Sequence, residues 1–347
     1  VKYSVLPNVE KELSVICLGT GNYGSGISPS DSFRLLDRFA ELGGTFIDTA
    51  HVYGAWDPSG YNGGYGNSEK VIGEWLAKTG MHKNIAVGTK GAHPDLETGT
   101  SRMNPEDINA HLSESLERLK IDSIDLYWVH KDEPSIPADE ILGMLAGHVA
   151  AGRIKAIGCS NWSIRRQKEA AEAALALGLP GFVASQVGWS LARANPSVPG
   201  IDPADMLYMD PDMFRFHVET DLPAAAYSSQ ACGFFAQKYD GLDFEAPDFP
   251  IRNLSARYGN DLNSTRRKAT IEVARQKNCS ANQLALAWIN HHAFPAFPIA
   301  GPNSHEQMED TMRAAEFELT DEEFKRITIC PEGMSASPVT NPEDGPC

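Results

Sequence analysis

Asn104-Pro105-Glu106-Asp107-Ile108-Asn109-Ala110-His111-Leu112-Ser113-Glu114-Ser115-Leu116-Glu117-Arg118-Leu119-Lys120-Ile121-Asp122-Ser123-Ile124-Asp125-Leu126-Tyr127-Trp128-Val129-His130 reads as one helix followed by one strand. Ile108, Leu112, Leu116 and Leu119 recur at the helical period and share a face. Asn104 supplies a cap, Pro105 the first helical position, and Glu106 and Asp107 the acidic first turn. Ile124–His130 is then a short apolar run of β type that closes on a histidine.

The same alternation runs outward in both directions. Strand candidates are Val15–Leu18, Thr45–Asp48, Ile85–Thr89, Ile124–His130, Ile154–Cys159, Phe182–Gln186, Pro223–Tyr227 and Phe297–Ala300. Helical stretches at Asp31–Leu42, Asn67–Lys78, Pro137–Ala151, Ser163–Leu177, Ser280–Asn290 and Ser304–Ala315 can cover the outside of a sheet built from them. Eight βα units with no obvious linker predict a single (β/α)8 TIM barrel domain over residues 1–347. An open doubly wound sheet is the competitor, but Gly19-Thr20-Gly21-Asn22-Tyr23-Gly24 lacks the spacing of its dinucleotide turn. Ala55–Tyr65, Ala192–Thr220 and Gly233–Asn263 exceed simple connections and are expected as long loops at the C-terminal face. The tail 331–347 is expected to be irregular.

With 347 residues, 42% of them hydrophobic, the chain can bury a large core. A formal charge of −16 argues against nucleic acid as a partner, because that binding neutralises phosphates with Lys and Arg. Cys17, Cys159, Cys232, Cys279, Cys330 and Cys347 form no metal-type spacing and read as reduced, mostly buried thiols. Neither a charged leader nor a membrane-length apolar run is found, so a cytoplasmic protein with no membrane partner is expected. Oligomeric state has no signature in the sequence.

In such a barrel the chemistry lies where strands end. Asp48, Lys90, His130, Ser160, Asn161, Gln186 and Tyr227 stand at or just past successive strand ends. Singly, each has an ordinary reading as a cap, a turn residue or a satisfied structural group. Together they converge on one mouth. An ammonium beside a tyrosine hydroxyl stabilises the phenolate and lowers its pKa, a carboxylate keeps that ammonium charged, and an imidazole can donate to a carbonyl oxygen. No nucleophile is paired with a base, which disfavours acyl transfer and metal-assisted hydrolysis. A glycosidase-type site would need two facing carboxylates, and the strand ends offer chiefly Asp48.

At these residues the sequence resembles the aldo-keto reductase superfamily, over roughly residues 2 to 329. Phe46-Ile47-Asp48-Thr49-Ala50-His51-Val52-Tyr53-Gly54 is similar to the family segment holding its Asp and Tyr, Thr89-Lys90 to its lysine site, and Ser115–His130 to the segment ending in its histidine. Gly158-Cys159-Ser160-Asn161-Trp162 and Ser280–Thr311 also match. The resemblance implies Tyr53 as general acid, Lys90 and Asp48 as its tuning pair, and His130 as the group orienting the carbonyl. It further implies a reduced nicotinamide cofactor whose carboxamide meets Ser160, Asn161 and Gln186, whose ring meets Tyr227, and whose phosphates meet Ser228, Gln230, Lys238, Gly301, Asn303, Ser304 and Gln307. NADPH is favoured by family habit. Gly301–Thr311 holds no Arg or Lys, however, so NADH is the alternative.

The expected reaction is reduction of a small-molecule aldehyde or ketone. Trp56, Tyr61 and Tyr65 in the insertion, with Trp128, Trp162 and Trp189, suggest aromatic faces suited to a carbohydrate-derived carbonyl, although loop packing explains them equally well. The other reading is a cofactor-binding regulatory subunit with little turnover, like the potassium-channel β subunits of the same superfamily.

Overall fold

The computed structural model describes residues 1–56, 64–195, 206–244 and 251–329. A short antiparallel hairpin, β1 (Tyr3–Ser4) with β2 (Leu13–Ser14), precedes eight strands: β3 (Cys17–Gly19), β4 (Phe46–Asp48), β5 (Ala86–Gly91), β6 (Ile124–Val129), β7 (Ile154–Ser160), β8 (Phe182–Gly188), β9 (Ala224–Tyr227) and β10 (Ala296–Ala300). These eight close into a (β/α)8 TIM barrel in the order β10-β3-β4-β5-β6-β7-β8-β9. Every expected strand is found within two residues of its expected limits. The chain packs as two compact units, residues 3–186 with 301–308, and residues 187–300 with 1–2 and those from 309 onward.

In the first unit, parallel registers set the strand ends side by side. Gly19 pairs with Asp48, Asp48 with Gly88, Lys90 with Trp128, Val129 with Cys159, and Ser160 with Gln186. The helix Pro105–Leu119 starts as its sequence dictates, with Asn104 Oδ1 accepting from the Asp107 N–H at 2.9 Å. Its neighbour, helix Asn67–Thr79, approaches so closely that a Cβ on Gly73 would lie 1.9 Å from the Arg118 carbonyl oxygen. Only glycine permits that contact.

The second unit holds β9 and β10, and its core gathers Trp189, Phe214, Trp288, Phe294 and Phe324. Helices Pro211–Thr220, Arg252–Tyr258, Asp261–Lys277 and Asp321–Ile327 and the hairpin β1–β2 lie outside the elements expected from sequence. Asp261–Lys277 hides its period because it buries polar residues, among them Asn263, Arg266, Arg267 and Thr270. Among the described residues, no helix is long and apolar enough to cross a membrane. The tail 331–347 and the middle of each long segment, 57–63, 196–205 and 245–250, lie outside the described residues.

Candidate active site

Asp48 ends β4, Lys90 lies in β5, and His130 follows β6, so the register alone delivers the three to neighbouring strand ends. Tyr53 arrives on the short loop after β4, whose turn is fixed by the Tyr53 N–H donating to Ala50 O at 3.1 Å and the Asn67 N–H to Tyr53 O at 3.1 Å. Lys90 Nζ then donates to Asp48 Oδ2 at 2.5 Å, to Thr49 O at 2.8 Å and to Tyr53 Oη at 3.0 Å. Gln186 Nε2 donates to the other carboxylate oxygen, Asp48 Oδ1, at 3.0 Å. Lys90 and Asp48 are only 1% and 2% exposed, whereas Tyr53 and His130 keep part of their surface open. A buried ion pair therefore lies beneath two accessible donor-capable rings, whose centroids are 6.2 Å apart.

Burial opposes the Lys90 charge, but Asp48 and Tyr53 outweigh it and hold the ammonium's pKa above its ordinary value. Burial pushes Asp48 up while Lys90 and Gln186 pull it down. For Tyr53 the outcome differs from the sequence expectation: burial raises the hydroxyl's pKa by more than Lys90 lowers it. A hydroxyl so placed holds its proton firmly at neutral pH. Burial, then Lys90, drive the His130 pKa well below the usual histidine value, so the ring is neutral. Its Nδ1 is buried with no hydrogen-bond partner among the described residues.

Ser160 ends β7, and Asn161 follows with φ 58°, a left-handed conformation anchored by its N–H donating to Gln186 O at 3.1 Å. Asn161 Nδ2 donates to Ser160 Oγ at 3.1 Å. One hydroxyl and two amides thus stand together beside Asp48, offering both donors and acceptors. That set matches the needs of a planar carboxamide, which itself both donates and accepts.

The remaining predicted contacts divide between the units. In the second unit, Tyr227 ends β9 and its hydroxyl donates to Leu207 O at 2.8 Å. Ser228 follows in a left-handed conformation, φ 55°. Gln230 Nε2 donates to Asn282 Oδ1 at 3.2 Å and Thr311 Oγ1 at 3.3 Å, and Lys238 Nζ sits 4.9 Å from the Tyr239 ring centre. In the first unit, Gly301 follows β10, and the Asn303 N–H donates to Gln307 Oε1 at 2.8 Å while the Gln307 N–H donates to Ser304 Oγ at 3.2 Å. Asn303 and Gln307 are thereby engaged in capping helix His305–Arg313.

Of the tryptophans read equally as open faces or as packing, three prove to be core. Trp128 and Trp162 are 0% exposed and Trp189 4%, whereas Trp56, 52% exposed, packs edge-on to Tyr53 with ring centres 5.7 Å apart. Strand and adjacent-loop tryptophans here fill the apolar space that barrel packing requires. Tyr61 lies outside the described residues. Cys17 and Cys159 are buried, as expected, but Cys232 is exposed.

Sequence reading missed the scaffold of hydroxyls behind the site. Thr49 Oγ1 donates to Ser68 Oγ, Ser68 Oγ to Thr20 Oγ1, and Thr20 Oγ1 to Asp48 O, each at 2.8 Å. Such a chain pins the end of β4 where Asp48 must meet Lys90. It also missed His51, whose Nε2 lies 2.8 Å from Glu114 and whose ring stacks on His111 at 4.0 Å. These partners are far apart in sequence, and no local spacing announces them.

Residues 15–332 match the model of the Aldo/keto reductase family. The chain is 29% identical to aldo-keto reductase yakc [NADP(+)] of Schizosaccharomyces pombe, covering 90% of this chain and 85% of that one. It is 29% identical to the uncharacterized oxidoreductase YrpG of Bacillus subtilis, covering 94% of each. Norsolorinic acid reductase stcV of Emericella nidulans is 28% identical over 91% of this chain and 77% of its own. Among solved structures, a thermostable aldo-keto reductase, Tm1743, in complex with the inhibitor epalrestat, superposes with a TM-score of 0.68 at 22% identity, covering 94% of this chain and 98% of that one, and shows the shared fold.

Proposed function

Since the chain belongs to the Aldo/keto reductase family and is an oxidoreductase, we propose that it reduces an aldehyde or ketone to the alcohol with Tyr53 as proton donor and NADPH as cofactor. The observation that carries this reading is the Lys90 ammonium, bonded at once to Asp48 at 2.5 Å and to Tyr53 Oη at 3.0 Å. As Tyr53 gives up its proton, the phenolate left behind is stabilised by Lys90, whose own position and charge are held by Asp48 and Thr49 O. Neutral His130 donates a ring N–H to the carbonyl oxygen and aligns it with Tyr53. Ser160, Asn161 and Gln186 hold the carboxamide of the cofactor, Tyr227 faces its ring, and Ser228, Gln230, Lys238, Gly301, Asn303 and Gln307 serve its phosphate end. When bound, the reduced nicotinamide supplies the hydride. NADPH ranks before NADH because the yeast relative carries NADP(+) in its name.

For the substrate we favour an oxygenated, carbohydrate-derived carbonyl. Trp56 supports this: an exposed indole beside Tyr53 offers a flat face to the C–H side of a polyol chain. Fluorescence quenching with NADPH and NADH, followed by turnover of a carbonyl panel, tests the reading. Tighter binding of NADPH and preference for oxidised sugars over apolar aldehydes are expected. Strong turnover of apolar aldehydes with none of oxidised sugars would contradict the substrate assignment.

A further inference from the structure

Three consecutive residues at the end of β5 tie the site together. Lys90 O accepts from the His51 N–H, on the loop that brings Tyr53, at 2.9 Å, and Gly91 O accepts from the His130 N–H at 3.0 Å. The Ala92 N–H donates to His111 Nδ1, on helix Pro105–Leu119, at 3.1 Å. The Gly91 carbonyl and the Ala92 N–H belong to one planar peptide, which turns as a unit. His111 and His130 therefore grip opposite ends of the same rigid group. Ala92 is buried, where an unpaired N–H is costly, and its left-handed φ of 56° strains an alanine, so the turn depends on that grip.

A backbone N–H only donates, so Nδ1 of His111 carries the lone pair, and the proton of the neutral ring is on Nε2. Protonating the ring sets an N–H against the Ala92 N–H. The peptide must then turn away, and the acceptor of His130 turns with it. The surroundings keep the ring neutral: burial, then Arg102, whose Nη1 lies 3.5 Å from Nε2, together with Arg118, outweigh Asp107 and Glu114 and hold its pKa below the ordinary value. From the loop after β4, His51 stacks on the ring at 4.0 Å while its Nε2 lies 2.8 Å from Glu114, and its own pKa is lowered to about 4, first by burial and then by His111. On the β6 side, the Tyr127 hydroxyl fills the space a Cβ on Gly91 would need, and burial pushes its pKa up so that it stays uncharged.

We propose that His111 is a positioning residue whose neutral ring holds the Gly91–Ala92 peptide that anchors His130, and whose protonation releases that peptide and slows reduction in acid. This rests on the proposed function and adds to it a pH-sensitive support that touches neither substrate nor cofactor.

The experiment follows single-turnover reduction of the best carbonyl substrate of the panel by the NADPH-loaded enzyme from about pH 4.5 to about pH 8, in the wild type, His111→Leu and His111→Asn, together with the Ala92 amide resonance of the wild type. The wild-type rate is expected to be full above about pH 6.5 and to fall in acid, with the Ala92 amide shifting over the same interval. His111→Leu, which lacks an acceptor, should be slower by about five- to tenfold at neutral pH, the size of one lost hydrogen bond. His111→Asn, whose Oδ1 can accept in place of Nδ1 and does not titrate, should recover most of that rate and hold it further into acid. NADPH quenching should be unchanged in both. Should leucine fail to fold, the asparagine profile and the Ala92 amide still decide. A wild-type rate that stays level into acid, an Asn variant with the wild-type acid limb or as slow as Leu, or an Ala92 amide that stays put while the rate falls would overturn the assignment of His111. A wild type that binds NADPH and shows the Ala92 shift but reduces no carbonyl would instead overturn the proposed function beneath it.

Discussion

Lys90 is the residue on which the proposed proton chemistry turns, because three of its contacts serve three ends: Asp48 holds its charge, Thr49 O fixes its direction, and Tyr53 Oη receives its field. Removing it has two separable effects. Lys90→Met leaves the Asp48 carboxylate buried without its cation, which costs about 3–5 kcal/mol of stability. It also withdraws the stabilisation of the Tyr53 phenolate, so turnover should fall by about 10²-fold or more. Thermal unfolding and steady-state kinetics measure the two, and a folded variant with wild-type kcat would contradict the role of Lys90. All four proposed chemical residues were legible in sequence, since they stand at strand ends or in a recognisable segment. The sign of the net shift at Tyr53 was not legible. It depends on how deeply the hydroxyl is buried, which only the packed structure reveals.

At the scale of elements, the strands and capped helices were legible wherever local chemistry and burial agree. Pro105–Leu119 shows its apolar stripe and its Asn104 cap in sequence and forms as read. Asp261–Lys277 was not legible as a helix of this length, because the face it buries contains Arg266 and Arg267, whose guanidiniums are satisfied by carbonyls of distant segments: Leu191 and Ile329 for Arg266, Phe234 and Ala236 for Arg267. Such burial follows from tertiary partners and leaves no periodic trace. The same holds for the hydroxyl chain Thr49, Ser68 and Thr20, which joins three elements through side chains that each look like ordinary turn residues. Aromatic exposure was the least legible feature: the sequence left open surface and packing equally open for the tryptophans, and Trp128, Trp162 and Trp189 are core.

For the molecule as a whole, stability carries a pH signature written in buried histidines. His292 sits among Trp189, Trp288, Phe294 and Phe324 with neither ring nitrogen bonded among the described residues, and burial lowers its pKa to about 3. The folded state thus resists protonation that the unfolded chain accepts near 6.5, so stability is full above about pH 6.5 and declines as pH falls toward about 3. His292→Phe removes the group and its unpartnered nitrogens. The variant should be more stable by about 1–3 kcal/mol at pH 7, with its lead growing by about 2 kcal/mol on going to pH 5. Denaturant unfolding at the two pH values checks this, and a variant that loses stability in parallel with the wild type would contradict it.

The proton-donor assignment is tested most directly by Tyr53→Phe, which keeps the ring and removes the one hydroxyl that Lys90 bonds at 3.0 Å. With NADPH bound to the same affinity by fluorescence quenching, single-turnover reduction of a carbonyl substrate should slow by about 10²–10⁴-fold. Reduction at the wild-type rate by a variant that binds NADPH normally would contradict Tyr53 as the acid.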